Sequence, residues 1–256
     1  VERCISVTTP KNILKDPIDG CHFISPTNNS FVAGKELERI RDLDSIPSPY
    51  IGGLMDKFFD GILTPMIETS RGCPFACNFC NAGDDYFKAV NKFSDDYIME
   101  EFTYIAKQAA KSDVAGAILA DNNFGMIPRD SKTSQLFYDL QQKYSWPHTV
   151  TTCTGKNSKE RVIEATRLLG SSLSVTMSVQ SMDKDVLKNI KRDNIRLEDY
   201  RAISEELAKK KRTRNAEVIA PLPGETLESF FKGVTDLLDT KVGRIQCHTL
   251  TMIYGT

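Results

Sequence analysis

The sequence predicts an α/β domain on about six parallel strands, and three observations predict it. From about residue 60 onward, short β-branched or apolar runs alternate with amphipathic stretches at helical spacing, the rhythm of strands joined by crossover helices. Hydrophobic residues make up 40% of the 256, enough to bury a large core without staples. The seven cysteines are an odd number, which argues for thiols used as ligands or core residues and against a disulfide framework.

Strands are predicted at 65–69, 114–119, 149–153, 173–179, 217–220 and 244–250, where the apolar runs lie. Ser94 precedes Ile98, Met99, Phe102, Ile105, Ala106 and Ala109, which share one helical face behind a capping hydroxyl. The same spacing recurs at Leu136, Phe137 and Leu140, and again at Val162, Ile163, Leu168 and Leu169, with Asn157 and Ser158 as caps. Two helices around 186–190 and 197–207 separate the fourth and fifth strands. A last helix follows Pro223-Gly224-Glu225 and carries Leu227, Phe230, Phe231, Val234, Leu237 and Leu238, a stripe of core type. Residues 1–63 differ: Pro10, Pro17, Pro26, Pro47 and Pro49 punctuate polar sequence, and only 35–41 suggests a helix. This reads as an irregular connector or cap before a core spanning 64–256.

Charge excludes some functions. There are 33 Lys and Arg against 34 Asp and Glu, a net charge of −1, so no nucleic-acid footprint is indicated. Charged residues at 26% interrupt the sequence too often for a membrane span. Val1 to Thr9 show no basic-then-apolar signal pattern, and the cytoplasm is the expected compartment. Basic residues at 209–214 read as a solvated helix end. His22, His148 and His248 have no metal spacing, and His148 and His248, which flank strands, read as core or rim residues.

The chemistry concentrates in Cys73-Pro74-Phe75-Ala76-Cys77-Asn78-Phe79-Cys80, directly after the first predicted strand. A loop with these gaps can turn three thiolates toward one iron-sulfur cluster, leaving one iron open. Structural zinc wants four ligands in close pairs, and no second pair is near. An ordinary ferredoxin site needs a fourth Cys, and Cys4, Cys21, Cys153 and Cys247 stand apart in sequence; a distant fourth ligand stays open. Three purposeless thiols in a turn of Arg71, Gly72, Pro74 and Asn78 would be an oxidation liability.

The three-Cys spacing, with aromatic Phe79 before the last Cys, resembles the radical S-adenosylmethionine superfamily over about residues 64–256. The resemblance implies a partial TIM-type barrel with outer helices, a 4Fe-4S cluster on Cys73, Cys77 and Cys80, and S-adenosylmethionine chelating the open iron. It implies an enzyme that cleaves this cofactor reductively and begins hydrogen abstraction. Asp121-Asn122-Asn123-Phe124-Gly125 stands where many relatives carry Gly-Gly-Glu; Asn122 and Asn123 can offer carbonyl oxygens to the methionine ammonium, against the plainer reading of an Asx-rich turn. Ser178 and Gln180 match the segment that reaches the cofactor's ribose and carboxylate, with Arg192 a second carboxylate partner or a surface ion pair. Ile219-Ala220-Pro221-Leu222-Pro223-Gly224-Glu225-Thr226 resembles the adenine-side motif, so Pro223, Gly224 and Glu225 join the set. Such sites gather at the C-terminal strand edge of a barrel.

Residues 42–50 and 67–72 resemble the connector of radical enzymes that follow a cobalamin-binding domain, a domain not in this chain. A core truncated at both ends is the expectation. The reaction implied is methylation, cyclisation or rearrangement of an organic small molecule, with a flavodoxin or ferredoxin as electron donor. Three alternatives remain: a methylthiotransferase-like RNA-modifying enzyme, since Gln180-Ser181 and Lys191-Arg192 resemble its fourth-strand segment; a noncatalytic iron-sulfur protein, which needs a fourth ligand; and a zinc-stabilised module.

Overall fold

The computed structural model describes residues 17–25, 27–154, 159–194, 196–209 and 215–252, in two compact units that divide after Arg41. The smaller unit holds a hairpin that periodicity did not announce: β1 (His22–Ile24) pairs antiparallel with β2 (Phe31–Ala33). The helix suggested at 35–41 does not form. Asn157, Ser158, Cys4 and 210–214 lie outside the described residues.

The larger unit begins before residue 64, because 42–63 carries its own buried side chains. Leu43 and Tyr50 belong to the main core. Tyr50 donates its hydroxyl to Met66 O at 2.9 Å and accepts from Met66 N at 3.1 Å. That pair fixes the edge strand β3 (Met66–Ile67). Next come β4 (Ser70–Arg71) and β5 (Asn91–Lys92), an antiparallel pair bracketing the cysteine loop.

The regular part then runs α1 (Asp95–Ala109), β6 (Gly116–Phe124), α2 (Arg129–Tyr144), β7 (Thr149–Thr154), α3 (Lys159–Leu169), β8 (Leu173–Gln180), α4 (Lys184–Asn189), α5 (Leu197–Lys209), β9 (Asn215–Ala220), α6 (Leu227–Leu238) and β10 (Arg244–Thr249). The sheet order is β3-β6-β7-β8-β9-β10, each neighbour parallel. Chain order equals spatial order, the arrangement of successive βα units curling into a partial barrel. The α/β partial barrel of six parallel strands is therefore the fold.

Ser94 caps α1 as its position suggests, its Oγ accepting from Tyr97 N at 3.1 Å. The predicted face of α1 is buried at Ile98, Phe102, Ile105, Ala106 and Ala109, and Phe102 meets Phe137 of α2 with ring centroids 5.2 Å apart. Each of the buried Ile and Phe side chains contributes roughly 1.5–3 kcal/mol through burial. The α6 stripe behaves otherwise. Leu237 is buried, yet Leu227 is 74% and Phe231 58% exposed, so the stripe is broader than the side that meets the sheet. Among the described residues no helix is long and apolar enough to cross a membrane.

Candidate functional site

The cysteine loop lies across the C-terminal ends of β6, β7 and β8. One cavity is lined by Cys73, Cys77, Phe79 and Cys80 from the loop, Asn122 and Asn123 from β6, Cys153 from β7, Ser178 and Gln180 from β8, and Arg192 after α4. Nine of the twelve residues singled out in the sequence thus meet at one place. Pro223, Gly224 and Glu225 do not line this cavity.

The loop's path is set by its anchors. Cys73 N donates to Phe87 O at 2.8 Å. Gly83 is packed so closely that a Cβ would sit 2.2 Å from Cys77 O, so only glycine fits that crossing. Asn78 donates through N to Ile190 O at 3.3 Å and through Nδ2 to Asn189 O at 2.9 Å. Asn189 Nδ2 then donates to Pro223 O at 3.0 Å, which ties the loop to the Pro223-Gly224-Glu225 turn. Glu225 accepts from Ser181 Oγ at 3.0 Å. This turn, with Gly224 at φ +84°, visibly braces two strand-end segments. Phe79 packs beside the apolar group of Val186, Ile190 and Leu222.

At the root of the loop stands Asp121, which spacing alone did not single out as a brace. Its Oδ1 accepts from Thr69 N at 2.6 Å and Ser70 N at 3.4 Å, and its Oδ2 from Ser70 Oγ at 2.9 Å and from Thr69 Oγ1. Burial raises its pKa, and these hydrogen bonds pull back toward the charged form. Arg129 adds a second brace, donating to Thr69 O at 3.2 Å and to Phe93 O. Held this way, β6 runs on through Asn122 and Asn123, so the alternative reading of an Asx-rich turn gives way to strand. Asn122 Nδ2 donates to Gly72 O at 3.4 Å and Asn123 Nδ2 to Cys73 Sγ at 3.2 Å.

The β8 end is different. A register shift separates Ser178 from Gln180, and Gln180 adopts φ +65°, a left-handed conformation that costs a non-glycine residue energy. Its Oε1 is buried without a hydrogen-bond partner. Ser178 donates its hydroxyl to Glu217 Oε2 at 2.6 Å, so toward a ligand it can act only as an acceptor. Glu217 is a residue that spacing missed. Its Oε1 stands 3.6 Å from His248 Nε2, and Cys153 shares that environment: desolvation first, then the charge of Glu217, raises its thiol pKa.

Arg192 is buried, not a surface ion pair. It donates through Nε to Asn194 Oδ1 at 2.8 Å and through an Nη to Ser178 O. Burial lowers its pKa, opposed first by Cys77 and then by Cys80 and Cys73. The cavity therefore sets a cation against three soft donors. Among the described residues no three His, Cys, Asp or Glu side chains gather tightly enough for a single metal ion; a cluster, whose irons each take their own thiolate, accommodates that wider spread. The soft donor set and the orphaned Gln180 carbonyl fit a bound iron-sulfur cluster and a polar cofactor beside it.

Comparison with known proteins points to one family. The family model described as Radical SAM superfamily matches residues 67–234. The chain is 32% identical over 222 residues to the cobalamin-dependent radical SAM methyltransferase TokK of Streptomyces tokunonensis, covering 81% of this chain and 31% of that protein. It is 33% identical over 217 residues to the 2-(S-pantetheinyl)-carbapenam-3-carboxylate methyltransferase of Streptantibioticus cattleyicolor, with the same coverage of 81% and 31%. The chain thus spans about a third of the length of these curated relatives. Among solved structures, the methyltransferase TsrM of Kitasatospora setae, with cobalamin and a [4Fe-4S] cluster bound, aligns at TM-score 0.63 and 13% identity over 75% of this chain and 35% of its own. Coproporphyrinogen III oxidase of Escherichia coli aligns at 0.57 and 14% over 82% and 49%.

Proposed function

Because this chain belongs to the Radical SAM superfamily, whose cofactors are a 4Fe-4S cluster and S-adenosylmethionine, we propose that it is the radical core of a cobalamin-dependent methyltransferase acting on an organic small molecule. The observation that carries the reading is the single cavity where Cys73, Cys77 and Cys80 face Asn122, Asn123, Gln180 and Arg192. When bound, the cluster and cofactor supply one-electron cleavage to methionine and a 5′-deoxyadenosyl radical.

The residues of this chain hold and orient. Cys73, Cys77 and Cys80 are the cluster ligands. Asn122 and Asn123, with their NH2 ends turned to the loop, leave their carbonyl oxygens for the methionine ammonium. Gln180 Oε1 takes a donor from the cofactor, and Ser178 accepts one. Arg192 receives the carboxylate. Phe79 shields the cluster, and Pro223, Gly224 and Glu225 act on the adenine side through the turn they form. Glu217 orients Ser178 by accepting its hydroxyl, with its other oxygen facing His248 across 3.6 Å.

Methylation is favoured over cyclisation, rearrangement or methylthiolation of RNA because two relatives matching 81% of the chain are named methyltransferases. The segment ahead of the core unit, up to Arg41, would connect it to a cobalamin domain. The balanced charge suits a small substrate better than nucleic acid, and a flavodoxin or ferredoxin in the cytoplasm would supply the electron. The test is anaerobic reconstitution, reduction and assay of 5′-deoxyadenosine with and without added cobalamin. Cofactor cleavage that needs Cys73, Cys77 and Cys80 supports the core reading; a full cluster in Cys80→Ala overturns the ligand assignment.

A further inference from the structure

We propose that Asn123 sets the reduction potential of the cluster by donating a hydrogen bond to the Cys73 thiolate. Asn123 Nδ2 stands 3.2 Å from Cys73 Sγ, and the side chain is buried at the cavity wall. A thiolate has lone pairs and no proton, so only the NH2 end of the carboxamide can face it. Reduction adds an electron whose charge spreads over the cluster and its thiolates. A donor aimed at one sulfur stabilises the reduced state more than the oxidised state and raises the potential, one of the levers by which proteins tune such clusters.

The donor is held in place. Asp121, two residues earlier on the same strand, accepts four hydrogen bonds from Thr69 and Ser70 at the root of the loop. Strand and loop are thereby fixed to each other at the point where Asn123 meets Cys73. Arg192 acts in the same direction as a charge spread over all three thiols, whereas Asn123 acts on one sulfur as a neutral group. Asn123 and Cys73 are both buried, where such a bond counts for more than at the surface.

This inference rests on the cluster assignment above and goes beyond it, since position alone suggested only ammonium binding for Asn123. The test uses the full-length protein, reconstituted anaerobically without S-adenosylmethionine, and follows the reduced cluster by electron paramagnetic resonance during a redox titration. Asn123→Leu keeps the volume and removes the donor, and Asn123→Ser keeps a shorter donor. The expected result is full iron and sulfide content in both variants, a clear shift to more negative potential in Asn123→Leu and a smaller one in Asn123→Ser. An unchanged potential in Asn123→Leu with a full cluster overturns the proposal. So does failure of both variants to hold a cluster, which would assign Asn123 to loop stability. A wild-type protein with no cluster signal would instead sink the cluster assignment itself.

Discussion

Two of the strand ends that face the cysteine loop treat their polar side chains in opposite ways. At the end of β6, Asp121 accepts four hydrogen bonds, and Asn122 and Asn123 both donate to the loop. At the end of β8, Gln180 holds a left-handed backbone and leaves a buried carbonyl oxygen without a partner. The first end is closed upon the protein and builds the site. The second is open, and a buried acceptor left unmade has value only when a ligand supplies the donor. Residue type does not distinguish them, since both carry amides at a strand terminus; partner count does.

The largest effect that would test this division lies in the loop between the two ends. Cys80→Ala should abolish the stable cluster, read as loss of iron, sulfide and visible absorbance, while the fold measured by circular dichroism persists. The β6 end should answer next. Asp121→Ala strands two backbone N–H groups and two hydroxyls in a buried place, at roughly 1–3 kcal/mol per unsatisfied group, so a loss of about 3 kcal/mol or more in denaturant unfolding is expected, with poor cluster loading as a consequence. A variant as stable as the parent would show that the closed end is not what holds the loop.

The closed end should also titrate. Asp130 accepts from Gly125 N at 2.7 Å and Ile127 N at 3.1 Å in the turn after β6. Burial above all, and then the neighbouring charge of Asp121, push its pKa from 3.8 to about 6. Below 3.8 the group is protonated whether the chain is folded or not. Between 3.8 and 6 the folded state keeps a proton that the unfolded chain releases, so its contribution to stability falls as pH rises and is fully lost above 6. The window corresponds to about 3 kcal/mol. Relative to wild type, Asp130→Asn should gain up to that much between pH 4 and pH 7 in chemical denaturation; parallel pH curves would remove the buried proton.

What the sequence made legible follows the same line. Periodicity marked all six sheet strands and the buried face of α1, because those patterns are set by burial along a single element. The three cysteines were legible because ligation by one loop demands close spacing. Contacts across sequence were not. The bracing by Asp121 joins positions about fifty residues apart. Cys153 enters the cavity, and Glu217 reaches Ser178 at its wall, only because β7, β8 and β9 lie side by side. The stripe on α6 misled in the other direction, since an apolar pattern says which residues share a face but not how much of that face the sheet covers. Residues 42–63 looked irregular because Leu43 and Tyr50 are buried one at a time, without a repeat that a period could reveal.

The smallest expected effect separates the two strand ends most sharply. If Gln180 Oε1 is a waiting acceptor, Gln180→Ala removes one hydrogen bond to S-adenosylmethionine and should weaken binding by about 1 kcal/mol, roughly fivefold in Kd. The folded chain loses no hydrogen bond at that oxygen, because it has no partner there, and alanine has no orphaned carbonyl to bury. Stability without cofactor should therefore stay level or rise slightly, the reverse of Asp121→Ala. Equilibrium binding to the reconstituted protein, set beside thermal unfolding without ligand, reads both halves. A variant that unfolds earlier but binds unchanged would make Gln180 a structural residue like its counterparts on β6, and the open end would then have to be sought at Ser178 and Glu217, where Oε1 faces His248 across 3.6 Å.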